Sequence, residues 1–146
     1  METTRKDGLA IVQRGEFEYN YINKDGKLLL NEWFRYLSNF YNGFSLMQRT
    51  NGDWNFIDKE GNYLSEQWFK RVDDFKEGFA RVQRSDELYN FIGKNGKLLS
   101  KDWFEWVDDF KEGFARVQRS DYLWNFIDQN GKILSDEWFY FVEDFQ

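Results

Sequence analysis

The chain has 146 residues, a net charge of −6, and no His, Cys or Pro. Without His and Cys, the Ser-His-Asp and Cys-His nucleophilic systems and the usual zinc ligand sets are excluded. The acidic balance argues against duplex nucleic acid and anionic membranes as partners, because Lys and Arg hold those.

Aromatic residues make up 21% of the chain. The core is therefore expected to be built from Phe, Trp and Tyr, each burying roughly 150–250 Å². The leading residues, METTRKDG, lack an apolar leader segment. No apolar run approaches the ~20 residues of a membrane span. These features, with the absence of Cys, set the expectation of a cytoplasmic protein.

From residue 6 onward one 35-residue repeat is written four times without gaps, over 6–40, 41–75, 76–110 and 111–145. Ten columns are identical in all four repeats, among them Gln-Arg (13–14, 48–49, 83–84, 118–119), Asn (20, 55, 90, 125) and Trp-Phe (33–34, 68–69, 103–104, 138–139). The expectation is a single repeat domain over 1–146. Each repeat would be one supersecondary element that buries its apolar face on its neighbours.

The third repeat shows the elements in chain order. Gly78 opens an alternating stretch, Phe79–Gln83, that reads as a strand. Ser85-Asp86-Glu87 is a turn, and Leu88–Ile92 is a second strand. Asn95-Gly96 reads as a hairpin turn favouring positive φ, and its Gly recurs at 26, 61 and 131. Leu98-Leu99 reads as a short third strand. The stretch around Trp106–Phe110 suits either a strand or one helical turn capped by Ser100.

Short strands, frequent turns and the lack of Pro indicate an all-β fold. Two arrangements remain open: an open β-solenoid of stacked hairpin repeats, or a closed barrel or propeller-like ring. The first repeat diverges most, with Leu9, Ile11 and Leu37-Ser38-Asn39. That asymmetry favours the open stack with a modified end.

Trp124-Asn125-Phe126-Ile127-Asp128-Gln129-Asn130-Gly131-Lys132-Ile133-Leu134 and Asp109-Phe110-Lys111-Glu112-Gly113-Phe114-Ala115-Arg116-Val117 resemble the repeat of the bacterial WG family, also called KWG repeats. The likeness runs over essentially the whole chain. It departs at the Gly of Trp-Gly, which is Asn in every repeat, and at a common Pro, which is absent. This marks a divergent subfamily. The resemblance implies β-structured, non-catalytic repeat modules.

No catalytic residue, metal site or cofactor is expected. The recurring acid pairs Asp73-Asp74, Asp108-Asp109 and Glu143-Asp144 fall on adjacent strand positions that point to opposite faces, so they read as solvated or Arg-paired acids. The Arg column reads as pairing with acids of a neighbouring repeat, and the Asn column as bonding turn backbone. Trp33, Trp68, Trp103 and Trp138, with Phe34, Phe69, Phe104 and Phe139, are the expected core.

Columns that vary yet carry large side chains are the candidate interaction surface. One holds Tyr36, Arg71, Trp106 and Phe141, with Tyr140 in the column before it. The other holds Phe17, Gly52, Glu87 and Tyr122 at the first turn. With Asp73, Asp108 and Glu143, they point to a protein–protein surface. Its specific version is an acidic inhibitor or adaptor of a basic nucleic-acid-binding protein. The alternative is carbohydrate or cell-wall binding through Tyr19, Trp54, Tyr89 and Trp124. Oligomeric state is not legible.

Overall fold

A computed structural model describes residues 8–146. Of the leading residues read above for a leader segment, 1–7 lie outside this range, and these include the first two positions of repeat 1. Among the described residues the secondary structure is all β: eleven strands and no helix. None of the sheets closes on itself as a barrel.

The strands are β1 (Ala10–Gly15), β2 (Glu18–Ile22), β3 (Tyr36–Leu37), β4 (Ser45–Gln48), β5 (Trp54–Ile57), β6 (Arg71–Val72), β7 (Phe79–Gln83), β8 (Tyr89–Gly93), β9 (Trp106–Val107), β10 (Phe114–Gln118) and β11 (Trp124–Asp128). They form four antiparallel sheets: β1-β2, β3-β4-β5, β6-β7-β8 and β9-β10-β11.

Each three-stranded sheet crosses a repeat boundary. β3 ends the first repeat, yet it pairs with β4 of the second, Tyr36 opposite Gln48 and Leu37 opposite Met47. The structural unit is therefore offset from the sequence unit, and successive repeats are interlocked by backbone ladders. The chain packs as two compact units that divide after Phe69. The break falls one residue before β6, the strand that joins the sheet of repeat 3.

The joint between repeats is a two-residue hairpin. Tyr41 and Phe44 exchange both backbone hydrogen bonds, at 2.8 and 3.1 Å. Asn42 (φ 56°) and Gly43 (φ 89°) are both left-handed, as a type I′ turn requires. Glu77-Gly78 and Glu112-Gly113 repeat this geometry. The stretch that suited a strand or a helical turn is thus a strand in three copies. The fourth copy, 141–142, has no ladder partner among the described residues.

The Asn-Gly turn is built differently from its sequence reading. Only Gly26, Gly61, Gly96 and Gly131 are left-handed there; the preceding residues are not. In three copies a side chain at the turn's start holds it, as when Asp58 Oδ1 accepts from the backbone N–H groups of Glu60 and Asn62. The expected third strand shrinks to single bridges such as Ile92 to Leu98.

The core of the first compact unit gathers Tyr21, Leu30, Phe34, Leu37, Phe40, Met47 and Ile57. That of the second gathers Phe91, Phe104, Val107, Phe110, Ala115, Val117 and Ile127. The divergence of repeat 1 has a local cause. Tyr21 stands where later repeats have Phe, and its hydroxyl bonds Ser45 Oγ at 2.6 Å and the Ser38 carbonyl. Ser38 stands where later copies have Asp or Glu, and Ser45 where they have Ala, so the three changes form one polar network.

Candidate functional site

The invariant columns form the frame. Asn20, Asn55, Asn90 and Asn125 are fully buried. Asn90 is representative: its Nδ2 donates to the carbonyls of Ser100 (2.8 Å) and Asp102 (3.3 Å). Its Oδ1 accepts from the N–H of Phe91 (2.7 Å) and of Ser100 (3.3 Å). This side chain ties the second strand of each repeat to the loop ahead of the Trp-Phe pair. It does so with four hydrogen bonds at Asn20, Asn90 and Asn125 and two at Asn55, which the Gly of a Trp-Gly repeat could not make.

The invariant Gln fastens the first turn. Gln48, Gln83 and Gln118 each donate Nε2 to the carbonyl of the residue four positions on. The invariant Arg stacks on the invariant Trp of its own repeat: Arg14 over Trp33 at 4.2 Å, Arg49 over Trp68 at 3.7 Å, Arg84 over Trp103 at 4.5 Å and Arg119 over Trp138 at 4.7 Å. The expected pairing of this column with acids of a neighbouring repeat holds only for Arg49 with Glu32, at 3.8 Å.

The Trp residues expected in the core are half-buried, each with Arg as a cover. Phe34, Phe69 and Phe104 are buried, whereas Phe139 is 37% exposed. No later sheet lies beyond Phe139 among the described residues.

The recurring acids are engaged by a different arginine column. Arg81 Nη2 lies 2.7 Å from Asp73 Oδ2 of the preceding repeat, and Nε lies 3.1 Å from Asp109. Arg116 does the same with Asp108 (2.7 Å) and Asp144 (3.3 Å). At the equivalent place in the first compact unit Leu46 replaces the Arg and Ser38 the Asp. The Arg and the acid of the preceding repeat thus change together here, whereas Asp74, the counterpart of Asp109, is retained without an Arg. Of the three acids singled out as partner-binding, Asp73 and Asp108 belong to these pairs, and Glu143 is exposed.

The column just before the first variable one, Arg35, Lys70, Glu105 and Tyr140, meets the first-turn column in two places. Arg35, in the column that also holds Tyr140, lies over the Phe17 ring at 4.6 Å. Lys70, of the same column, bonds Glu87 at 2.7 Å. Backbone bonds place this column beside the first turn of the following repeat, as with Lys70 and Glu87. The N–H groups of Arg35, Lys70 and Glu105 donate to the carbonyls of Gln48, Gln83 and Gln118, whose side chains hold the adjoining turns. Lys70 draws the Glu87 carboxyl below its ordinary value, chiefly through that hydrogen bond.

Within the second compact unit this edge runs Lys70, Glu87, Glu105 and Tyr122, and Tyr140 is the last member of the Lys70 and Glu105 column. Tyr122 is 64% exposed and Tyr140 is 93% exposed. Tyr122 (φ 69°) and Glu87 (φ 73°) occupy a left-handed turn position held by Gly52 in repeat 2. A side chain there costs roughly 1–2 kcal/mol. Strain of this kind is retained at functional positions. The left-handed backbone at these two residues is not legible from composition.

Phe17, Tyr36 and Phe141 are also exposed. Arg71, Asp73, Trp106 and Tyr89 come together around a pocket of about 190 Å³ on the β6-β7-β8 sheet. Trp106 is supported from two sides: it packs edge-on to Tyr89 at 5.0 Å and donates Nε1–H to Asp108 at 2.7 Å. The four rings read as sugar platforms are half-buried, each with a neighbour. Trp54 has Tyr36 against it at 5.6 Å, Tyr89 has Trp106, Trp124 has Arg116 at 5.9 Å, and Tyr19 packs on the first core. Among the described residues no helix is long and apolar enough to cross a membrane, and no cluster of His, Cys, Asp or Glu could hold a metal ion.

Among solved structures the chain is similar to the computationally designed protein Ika8 (13% identity, 89% of this chain and 46% of that one, TM-score 0.42). It is also similar to the WD40 β-propeller domain of Doa1 (14%, 88% and 50%, 0.41) and to BamB from Moraxella catarrhalis (10%, 88% and 45%, 0.45). The chain spans about half the length of each. Likenesses this slight carry no functional argument. No curated protein matches the chain. The family model for WG-containing repeats matches residues 54–89 and 89–124, two adjacent repeats. The same invariant columns continue at the same spacing on either side of that span, and these two repeats belong to the WG-containing repeat family.

Proposed function

We propose that this repeat protein is a non-enzymatic module that binds another protein through the edge formed by its variable columns. One observation carries the reading: Tyr122 is presented to solvent from a left-handed backbone position, in a turn that Gln118 fastens and that the backbone of Glu105 adjoins. A scaffold gains nothing from an aromatic side chain there, whereas exposed Tyr next to charge is the composition of interface hot spots. A basic partner suits the net charge of −6, as in an acidic inhibitor or adaptor of a nucleic-acid-binding protein. Asp73, Asp108, Asp109 and Asp144 add little to such a surface because Arg81 and Arg116 already engage them.

The test is affinity capture from the source lysate at low and high salt, with wild type beside a Tyr122→Ala/Tyr140→Ala double variant. The expected result is one dominant protein, weakened by salt and lost with the double variant. Capture unaffected by both substitutions would remove this edge from the interface. No captured protein at either salt would overturn the reading.

A further inference from the structure

A groove of about 540 Å³ lies between Trp103 and Trp138, with Asp102, Arg119 and Ile133 among its walls. Its volume falls in the range of ligand sites, roughly 300–1,000 Å³. A shift of two repeats carries Glu32, Trp33, Arg49, Tyr63 and Trp68 onto Asp102, Trp103, Arg119, Ile133 and Trp138. In the first compact unit the equivalent place is filled from within. The Tyr63 ring packs edge-on against Trp68 at 5.2 Å, with Arg49 5.9 Å from its centre. Its hydroxyl donates to Glu32 Oε2 at 3.3 Å. Burial and the neighbouring Glu32 raise the phenol's pKa, which keeps the donated proton in place.

In the second compact unit the walls are retained and the occupant is missing. Arg119 still covers Trp138, and Asp102 supplies a carboxylate where Glu32 stood. Ile133 has neither ring nor hydroxyl. We propose that this groove receives a tyrosine side chain of the partner protein, held as Tyr63 is held in its own repeat. The proposal rests on the protein-binding reading above and gives the partner an anchor. The guest ring packs against Trp138 beneath Arg119, and its O–H donates to Asp102. A pyranose would also pack on Trp, but the internal occupant matches a phenol in both ring and donor.

The experiment follows the indole N–H resonances of the ¹⁵N-labelled full chain during titration with N-acetyl-tyrosinamide, N-acetyl-phenylalaninamide and cellotetraose. The expected result is saturable shifts at Trp103 and Trp138 with the tyrosine amide. The phenylalanine amide should bind about threefold or more weakly, because it lacks the hydrogen bond. Ile133→Tyr, which restores the residue of repeat 2, should abolish the response while leaving the other indole signals in place. No saturable shift, equal response to the two amides, shifts persisting in Ile133→Tyr, or a response to cellotetraose alone would each overturn the proposal. A partner captured equally by wild type and Ile133→Tyr would overturn the groove's role and leave the protein-binding reading standing.

Discussion

The Arg49 guanidinium lies 3.7 Å above the Trp68 ring, and the same pair recurs in every repeat. An aromatic side chain as large as Trp is therefore only half-buried, yet it is shielded by a cation whose charge remains at the surface. A planar guanidinium can lie flat on an indole, whereas an ammonium is a compact point charge. Arg49→Lys is therefore expected to lower stability by about 1 kcal/mol, although the charge is retained. Urea denaturation followed by tryptophan fluorescence checks this. Indistinguishable midpoints would mean that the stacking contributes nothing.

Asn90 is the stronger constraint. It is fully buried and makes four hydrogen bonds to backbone groups of its own strand and of the loop 10 and 12 residues on. Asn90→Ala strands buried backbone donors and acceptors, each costing ~1–3 kcal/mol. A total loss of about 3 kcal/mol is expected, because some of these groups will find water. Asn90→Gly, which restores the residue of the Trp-Gly pair, should be no better. Thermal unfolding of both variants measures this, and a Gly variant as stable as wild type would show that the Asn network is dispensable.

The repeat, its all-β character and the buried Phe column were legible because period and alternation are properties of the chain itself. The type I′ joint was not read, although Asn42-Gly43 spells it. Its other described copies carry Glu77 and Glu112 at the left-handed position, where propensity argues against the turn and the flanking ladder imposes it. The offset between sequence and structural units was hidden for a related reason: a two-residue strand such as β3 has no periodicity to detect. Of the site, the two variable columns were legible singly. Their adjacency was not, since it depends on backbone bonds from one repeat to the next. The acids read as solvated or Arg-paired, but the pairing column, Arg81 and Arg116, was not legible because it is absent from the first two repeats.

Tyr122 tests the opposition between stability and binding. Its φ of 69° costs about 1–2 kcal/mol for a residue with a side chain, whereas Gly adopts that angle freely. Gly also loses more backbone entropy on folding, by roughly 0.4–1 kcal/mol. Tyr122→Gly should therefore stabilise the fold by about 0.5–1 kcal/mol and weaken partner capture. A variant that is less stable than wild type would mean that Tyr122 packs productively rather than being held out for recognition.

Asp121 sets a pH dependence whose sign can be worked out. Arg119 Nε bonds both of its carboxylate oxygens, at 2.9 and 3.0 Å, and this hydrogen bonding holds its pKa below the ordinary value of 3.8. Asp86 and Arg84 repeat the arrangement one repeat earlier. A carboxyl lowered in the folded state binds fewer protons than in the unfolded chain at intermediate pH. Its contribution is complete above the unfolded value and disappears as pH falls through the folded one. Both aspartates are exposed, so the effect is small and screened by salt. Urea midpoints recorded from about pH 5 down to about pH 2 at low ionic strength should fall less steeply for Asp86→Asn/Asp121→Asn than for wild type. Parallel profiles would show that these turn ion pairs do not couple protonation to folding. They would also leave the stacking of Arg84 and Arg119 on Trp103 and Trp138 as the sole physical reason for arginine at these two positions.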